Sequence, residues 1–242
     1  MDESDSLMKI YEDAADLAAQ AADFFLLLVR WTVETRGHAY VALSGGSTPE
    51  AMYKLIADRG IEVDWSKVSL FLGDERFVPY DDPQSNFGMI LRTLLEGISI
   101  PKANVFPIPT SMETADDAAR EYEATLRREL PDGRLDMVFL GLGEDGHTAS
   151  LFPGFPSLSV TDRWVVASPP GTLPPPVERI TMTYPILNNA HNAIFLVSGA
   201  KKAGVLQAVR AENADCSRLP AAGIHPLHGK VLWLVDKAAA MV

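Results

Sequence analysis

The sequence predicts a layered α/β fold with a mostly parallel sheet flanked by helices. Short apolar runs rich in Val, Ile, Leu and Phe recur at 39–43, 68–72, 135–140, 192–197 and 231–235, each of strand length. Between them lie segments whose apolar residues fall at helical spacing, and strands alternating with helices pack as a parallel sheet with helices on its faces. Four of the runs are followed by a glycine-containing turn, as the C-terminal ends of parallel strands require when they feed the next element.

In chain order, 8–35 is alanine-rich and carries Ile10, Ala14, Leu17, Ala21, Phe24 and Leu28 at helical spacing, with Gly37 ending it. The run 39–43 reads as a strand and 49–59 as a helix, with Thr48 as N-cap and Pro49 at the first helical position. A strand at 68–72 precedes a helix at 86–96, for which Ser85 or Asn86 is the N-cap, and a strongly charged helix at 114–130. The run 135–140 is the next strand. Trp164 to Ala167 reads as another, and Pro169, Pro170, Pro174, Pro175 and Pro176 form a stiff loop delivering Glu178 and Arg179 to a strand at 180–183. A strand at 192–197, a helix at 200–211 and a strand at 231–235 complete the pattern. No repeat, low-complexity segment or long linker divides residues 1–242, so a single domain is expected.

Composition excludes several classes of function. Cys216 is the sole cysteine, which rules out an internal disulfide and a multi-cysteine metal site; no metal is expected. The longest apolar run, Phe24 to Val29, is far too short to span a bilayer. The acidic start Met1-Asp2-Glu3-Ser4-Asp5 is unlike a basic secretory signal, so a cytoplasmic protein without membrane contact is expected. The net charge of −11 argues against nucleic acid, whose binding rests on Lys and Arg neutralising phosphates. An anionic substrate would need a locally positive pocket within this acidic surface.

The most informative segment is Gly141-Leu142-Gly143-Glu144-Asp145-Gly146-His147-Thr148-Ala149-Ser150-Leu151-Phe152-Pro153-Gly154. Its glycines allow a sharp turn at a strand's C-terminal end, where open parallel sheets bind ligands. The turn presents a carboxylate and an imidazole, and a histidine's ordinary pKa of about 6.5 suits it to act as a base near neutral pH. Ser44-Gly45-Gly46-Ser47-Thr48-Pro49 joins a strand to a helix start, where backbone N–H groups, hydroxyls and the helix dipole favour a phosphate. It lacks the lysine of a triphosphate-binding loop. Gly73-Asp74-Glu75-Arg76 and Ser198-Gly199-Ala200-Lys201-Lys202-Ala203 follow strands in the same way and add cations. Each motif alone reads equally as a capped helix, a surface ion pair or a solvated face. Together they would line one sheet edge and place Arg76, Lys202 and Arg179 in one pocket.

Other matches fail. Residues 141–146 fit G-x-G-x-x-G, but two carboxylates would face the pyrophosphate and Pro153 stops a long helix. His225-Pro226-Leu227-His228 has proline-broken spacing and no further ligand, and reads as a loop. No G-x-S-x-G nucleophile elbow is present.

With these segments in place the chain resembles the 6-phosphogluconolactonase family. The resemblance rests on 43–49, 72–87, 141–154, 178–189, 197–203 and 233–236, in order over nearly the whole chain. It implies a Rossmann-like arrangement similar to glucosamine-6-phosphate deaminases and ribose-5-phosphate isomerases. It also implies hydrolysis, without a required cofactor, of the δ-lactone of 6-phosphogluconate, a small sugar-phosphate substrate. Carried onto this sequence, the resemblance makes His147 the general base, with Asp74 and Asp145 orienting or tuning the site. Ser44, Gly45, Gly46, Ser47, Thr48, Arg76 and Lys202 become substrate and phosphate contacts, and Arg179 a further anion ligand. The related deaminases or isomerases are the main alternative; their turn carries a Glu five residues after the histidine and a Tyr after the Asp-Glu pair. Here those places hold Phe152 and Arg76, which favours the lactonase. A non-catalytic phosphosugar-sensing domain is a further alternative, and no helix-turn-helix segment accompanies it.

Overall fold

The computed structural model describes residues 6–171 and 176–241. It contains a seven-stranded sheet and a separate three-stranded sheet. The large sheet is built from β1 (Ser6–Tyr11), β2 (Ala39–Leu43), β3 (Val68–Leu72), β5 (Val105–Phe106), β6 (Met137–Leu140), β9 (Asn192–Val197) and β10 (Lys230–Asp236). Its strand order is β1-β10-β9-β6-β2-β3-β5, and every pairing is parallel. Strands β3 and β6 are buried along their whole length, as strands covered by helices on both faces must be. The helices are α1 (Ala14–Arg36), α2 (Ser47–Arg59), α3 (Asn86–Thr93), α4 (Ala115–Glu129), α5 (Tyr184–Leu187), α6 (Ala203–Val209) and α7 (Lys237–Ala240).

The core follows the apolar pattern of the sequence. Leu17, Ala21, Phe25 and Val29 form the fully buried stripe of α1, and Phe25 packs against Phe139 of β6 with ring centroids 5.5 Å apart. Phe195 of β9 stacks on Trp233 of β10 at 3.9 Å and 8°. At two strand ends a buried tyrosine satisfies backbone groups that leave the ladder. Tyr53 bonds the N–H and C=O of Ser44 beyond β2, and Tyr122 those of Leu72 at the end of β3. Buried backbone polar groups need such partners, so the chain can turn out of the sheet there without leaving orphans.

Several boundaries differ from the sequence reading. Residues 8–11 are not the start of the first helix but part of edge strand β1, paired with β10. The helix begins at Ala14 because Asp13 caps it, its side chain accepting the N–H groups of Ala15 and Asp16. The spacing from Ile10 to Ala14 bridges cap and strand without belonging to the helix. Thr48 is not the N-cap of α2; Gly46 is, with φ 108° and no side-chain cap. The helix at 86–96 splits into α3 and a 3-10 turn, and that at 200–211 into a 3-10 turn (Ala200–Lys202) and α6. Ser85 caps α3 as expected.

The largest correction concerns the small sheet. Strands β7 (Val165–Ser168) and β8 (Arg179–Met182) do not join the parallel sheet. They form an antiparallel sheet with β4 (Asp74–Arg76), in the order β4-β8-β7. The turn expected at 73–76 is therefore itself a short strand. Of the prolines assigned to a stiff loop, Pro174 and Pro175 lie outside the described residues. Among the described residues no helix is long and apolar enough to cross a membrane.

Candidate active site

The four glycine turns leave the C-terminal ends of β9, β6, β2 and β3, which are four consecutive strands of the large sheet. The chain order runs outward from β2 through β3 to β5, then restarts at β6 on the other side. The reversal point between β2 and β6 is where open α/β sheets bind ligands. The 44–48 loop and the 141–147 turn flank it.

At the first of these, Gly45 has no room for a side chain: a Cβ there would lie 1.9 Å from Oδ1 of Asn86. The Asn86 amide, buried at the start of α3, donates from Nδ2 to the carbonyl of Asp74 at 3.0 Å. It thus wedges the 44–48 loop against β4. Beyond Gly46, α2 starts without a side-chain cap, so its first N–H groups remain open to an anion. Ser47 is exposed, Thr48 partly so, and the Oγ of Ser44 is buried without a partner.

Strand β4 separates two adjacent carboxylates by role. Glu75 is fully buried and accepts hydrogen bonds from the N–H groups of Arg76, Asn86 and Phe87 and from the hydroxyl of Ser85. Burial pushes its carboxyl above the usual range, against those three backbone bonds. It anchors the N-terminus of α3, whose dipole favours negative charge. Asp74 instead accepts the Ser150 hydroxyl at 2.6 Å, tying β4 to the 141–154 turn.

Next along β4, Arg76 is the direct register partner of Arg179 on β8. Arg76 donates from one terminal nitrogen to the Gln84 carbonyl at 2.6 Å, while its Nε is buried with no partner. Arg179 is 5% exposed, and its Nε donates to the Val177 carbonyl. Its guanidinium is held below the usual arginine range first by burial and then by the charge of Arg76. The neighbouring carboxylates of Asp74 and Glu75 act in the opposite direction.

The β6 turn builds a second feature. Gly143 donates to the His147 carbonyl at 2.8 Å and Gly146, at φ 84°, to the Gly143 carbonyl at 3.1 Å. This tight loop sets Nδ1 of His147 2.5 Å from Oδ1 of Asp145, which also accepts the His147 N–H at 3.1 Å. A Cβ at Gly143 would fall 2.0 Å from that same Nδ1, so only glycine leaves space for the pair. Burial would raise the Asp145 carboxyl, but its bonds to His147 prevail and hold it below the usual range. With Nδ1 engaged, Nε2 is the nitrogen left for chemistry. The imidazole side chain keeps 22% exposure, which leaves it reachable by water. No helix follows Gly146: Thr148 and Leu151 form an isolated bridge instead, which removes the dinucleotide reading of 141–146.

Lys202 lies on the 3-10 turn after β9, partly exposed. Asp236, at the end of β10, fixes that turn by accepting the Ser198 hydroxyl at 2.6 Å and the Gly199 N–H. The structure thus joins Asp145 with His147, Arg76 with Arg179, and the 44–48 loop with β4 through Asn86. It places Lys202 on the same sheet edge. Sequence reasoning missed the positions of Ser150 and Asn86; both sit within the singled-out segments, but their partners lie on other strands. Among the described residues no group of three or more His, Cys, Asp or Glu is arranged to hold a metal ion.

Residues 12–233 match the model of the family described as glucosamine-6-phosphate isomerases/6-phosphogluconolactonase. The chain belongs to that family. Among its relatives it is 39% identical to the 6-phosphogluconolactonase of Synechocystis sp., over 86% of this chain and 85% of that protein. It is 38% identical to the 6-phosphogluconolactonase of Nostoc sp., over 96% of each. Among solved structures, the 6-phosphogluconolactonase of Trypanosoma brucei superposes with a TM-score of 0.89 at 30% identity, covering 98% of both chains. A monomeric glucosamine-6-phosphate deaminase superposes with a TM-score of 0.84 at 20% identity, covering 97% of this chain and 99% of that one. The family's description names two chemistries, and the relatives at 38–39% identity carry the lactonase name.

Proposed function

We propose that the protein hydrolyses 6-phosphogluconolactone to 6-phosphogluconate, with His147 as general base. The observation that carries this reading is the Asp145–His147 pair on the β6 turn, which the Phe152 ring links to Arg179 of the small sheet. Relatives named 6-phosphogluconolactonase match over nearly the full chain and support the substrate class.

Chemically, hydrolysis needs an activated water and donors for the developing oxyanion, and no covalent nucleophile. Asp145 accepts a hydrogen bond from Nδ1–H and so fixes the tautomer, leaving the lone pair on Nε2. Nε2 removes a proton from water as its oxygen bonds to the lactone carbonyl carbon. The resulting tetrahedral oxyanion collapses, the ring C–O bond breaks, and the ring oxygen leaves as the C5 hydroxyl with the proton that Nε2 took from water, which restores the base. The product carboxylic acid ionises. The 44–48 loop, Arg76 and Lys202 hold the phosphate, with Arg179 as a further anion ligand.

The deaminase chemistry of the same family needs an acid near the histidine for ring opening. Here the residue five positions after His147 is Phe152, which is buried and has its ring against the imidazole. A coupled assay that generates the lactone from glucose 6-phosphate and follows its disappearance tests the reading. Loss faster than spontaneous hydrolysis, without added metal and unaffected by a chelator, is the expected result. A rate equal to spontaneous hydrolysis, together with deamination of glucosamine 6-phosphate, would overturn it.

A further inference from the structure

We infer that Phe152 is the positioning residue for the His147 imidazole, its ring forming the wall that fixes the angle at which Nε2 meets water. The inference rests on the base reading above. Asp145 holds one edge of the imidazole through Nδ1, and Gly143 packs closely on that same edge. Phe152 bounds the ring elsewhere: it packs against the imidazole at a tilt, with centroids 4.9 Å apart and planes at 53°.

The loop is folded to bring these two rings together. The Thr148 hydroxyl bonds the Gly141 carbonyl, and Leu151 N–H bonds the Thr148 carbonyl, turning the chain back on itself. Ala149 takes φ 47° within that turn, a conformation non-glycine residues seldom adopt. Beyond it, Gly154 N–H donates to the Ser217 carbonyl and pins the far end.

Phe152 itself has little freedom to move. It is 3% exposed, and Phe155 packs edge-on at 5.5 Å and 62°. A Cβ at Gly171 would lie 2.4 Å from its ring, so the backbone there rests directly on it. The Arg179 guanidinium carbon lies 6.0 Å from its centroid, within cation–π range. One ring therefore packs against the imidazole and lies within cation–π range of Arg179. A base displaced by about 1 Å can lose on the order of a hundredfold in rate, so a wall that holds the base matters to turnover.

The test is a kinetic cycle with Phe152→Leu, His147→Asn and the double variant, with Phe24→Leu, on α1, as control. Phe152→Leu keeps apolar volume but removes the aromatic ring. It should lower kcat about tenfold or more while KM stays within about twofold, a split that loss of packing alone does not produce. Phe24→Leu should leave kcat within about twofold. In kcat the double variant should be no slower than His147→Asn, because the wall acts on turnover through the base. Rate losses that multiply in the double variant would overturn the inference while leaving the base reading intact, as would a Phe152→Leu protein with unchanged kcat and raised KM. Full activity of His147→Asn would remove both. If Phe152→Leu does not fold, Phe152→Met, unbranched and adaptable in packing, carries the same comparison.

Discussion

Arg76 and Arg179 are register partners across β4 and β8, and Nε of Arg76 is buried and unbonded. If this pair holds the phosphate, a bound anion relieves the repulsion between the two cations. Inorganic phosphate or 6-phosphogluconate should therefore raise the thermal midpoint of the wild-type protein, and much less that of Arg76→Ala, as linkage requires for a ligand of the folded state. Arg76→Ala should raise KM about tenfold or more, the worth of a charge-assisted contact of roughly 1.5–3 kcal/mol. Identical ligand-induced shifts in the two proteins would show that the anion binds elsewhere.

Lys202→Ala should also act mainly on KM, by a similar factor, through loss of a charge-assisted contact. Unphosphorylated gluconolactone, which lacks the group these cations hold, should be a poor substrate for the wild-type protein and equally poor for the variant. Comparable turnover of the two lactones would remove the phosphate site.

Gly45→Ala tests the wedge between the phosphate loop and β4. Its Cβ would lie 1.9 Å from Oδ1 of Asn86, so either the loop or the amide must shift. Overpacking of this kind costs about 1–3 kcal/mol. Weaker phosphate binding with a lowered thermal midpoint is expected, and Asn86→Ala in the Gly45→Ala background should restore part of both. No recovery in the double variant would mean the clash is relieved some other way.

Glu75 and Asp145 respond to pH with opposite signs. The folded state holds Glu75 above its ordinary pKa, so its ionised form weighs against stability once pH rises through that raised value. The folded state holds Asp145 below its ordinary pKa. Its contribution is present above the unfolded value of about 3.9 and is lost as pH falls through the depressed one. Melting Asp145→Asn beside the wild type should thus show the larger gap near neutrality and a shrinking gap in acid. A gap that widens in acid would reverse the assigned sign. Glu75→Gln is a separate case, because an amide cannot accept from all four donors around it. It should lower stability by about 1–3 kcal/mol through an unsatisfied buried group.

Much of this was legible in the sequence, for identifiable physical reasons. The buried strands β2, β3, β6, β9 and β10 announce themselves as short apolar runs, and the turns after the first four by glycine. Asp145 and His147 lie two residues apart on one such turn, so their pairing follows from local geometry. What was not legible depends on distant partners. β4 is Asp74-Glu75-Arg76, three polar residues with no strand signature, and it becomes a strand only by pairing with β8. The placement of Arg76 opposite Arg179 follows from that pairing and from nothing near either residue. Edge strand β1 was absorbed into a helix because Ile10 and Ala14 happen to fall four apart, while the deciding signal was the Asp13 cap. The split between Asp74 and Glu75 was equally hidden, since only the fold buries one beneath α3 and turns the other toward Ser150.

The central claim is that His147 removes the proton from water, and one variant tests it most directly. His147→Asn keeps a polar side chain on the same turn but cannot serve as the base. Steady-state turnover of 6-phosphogluconolactone, corrected for spontaneous hydrolysis, should fall about 10²–10⁴-fold, the usual contribution of a general base. KM for the lactone and the thermal midpoint should stay close to wild type, because the half-buried ring is not part of the core. A His147→Asn protein that folds normally and keeps most of its turnover would contradict the account and send the search for the base to Asp74 and Asp145.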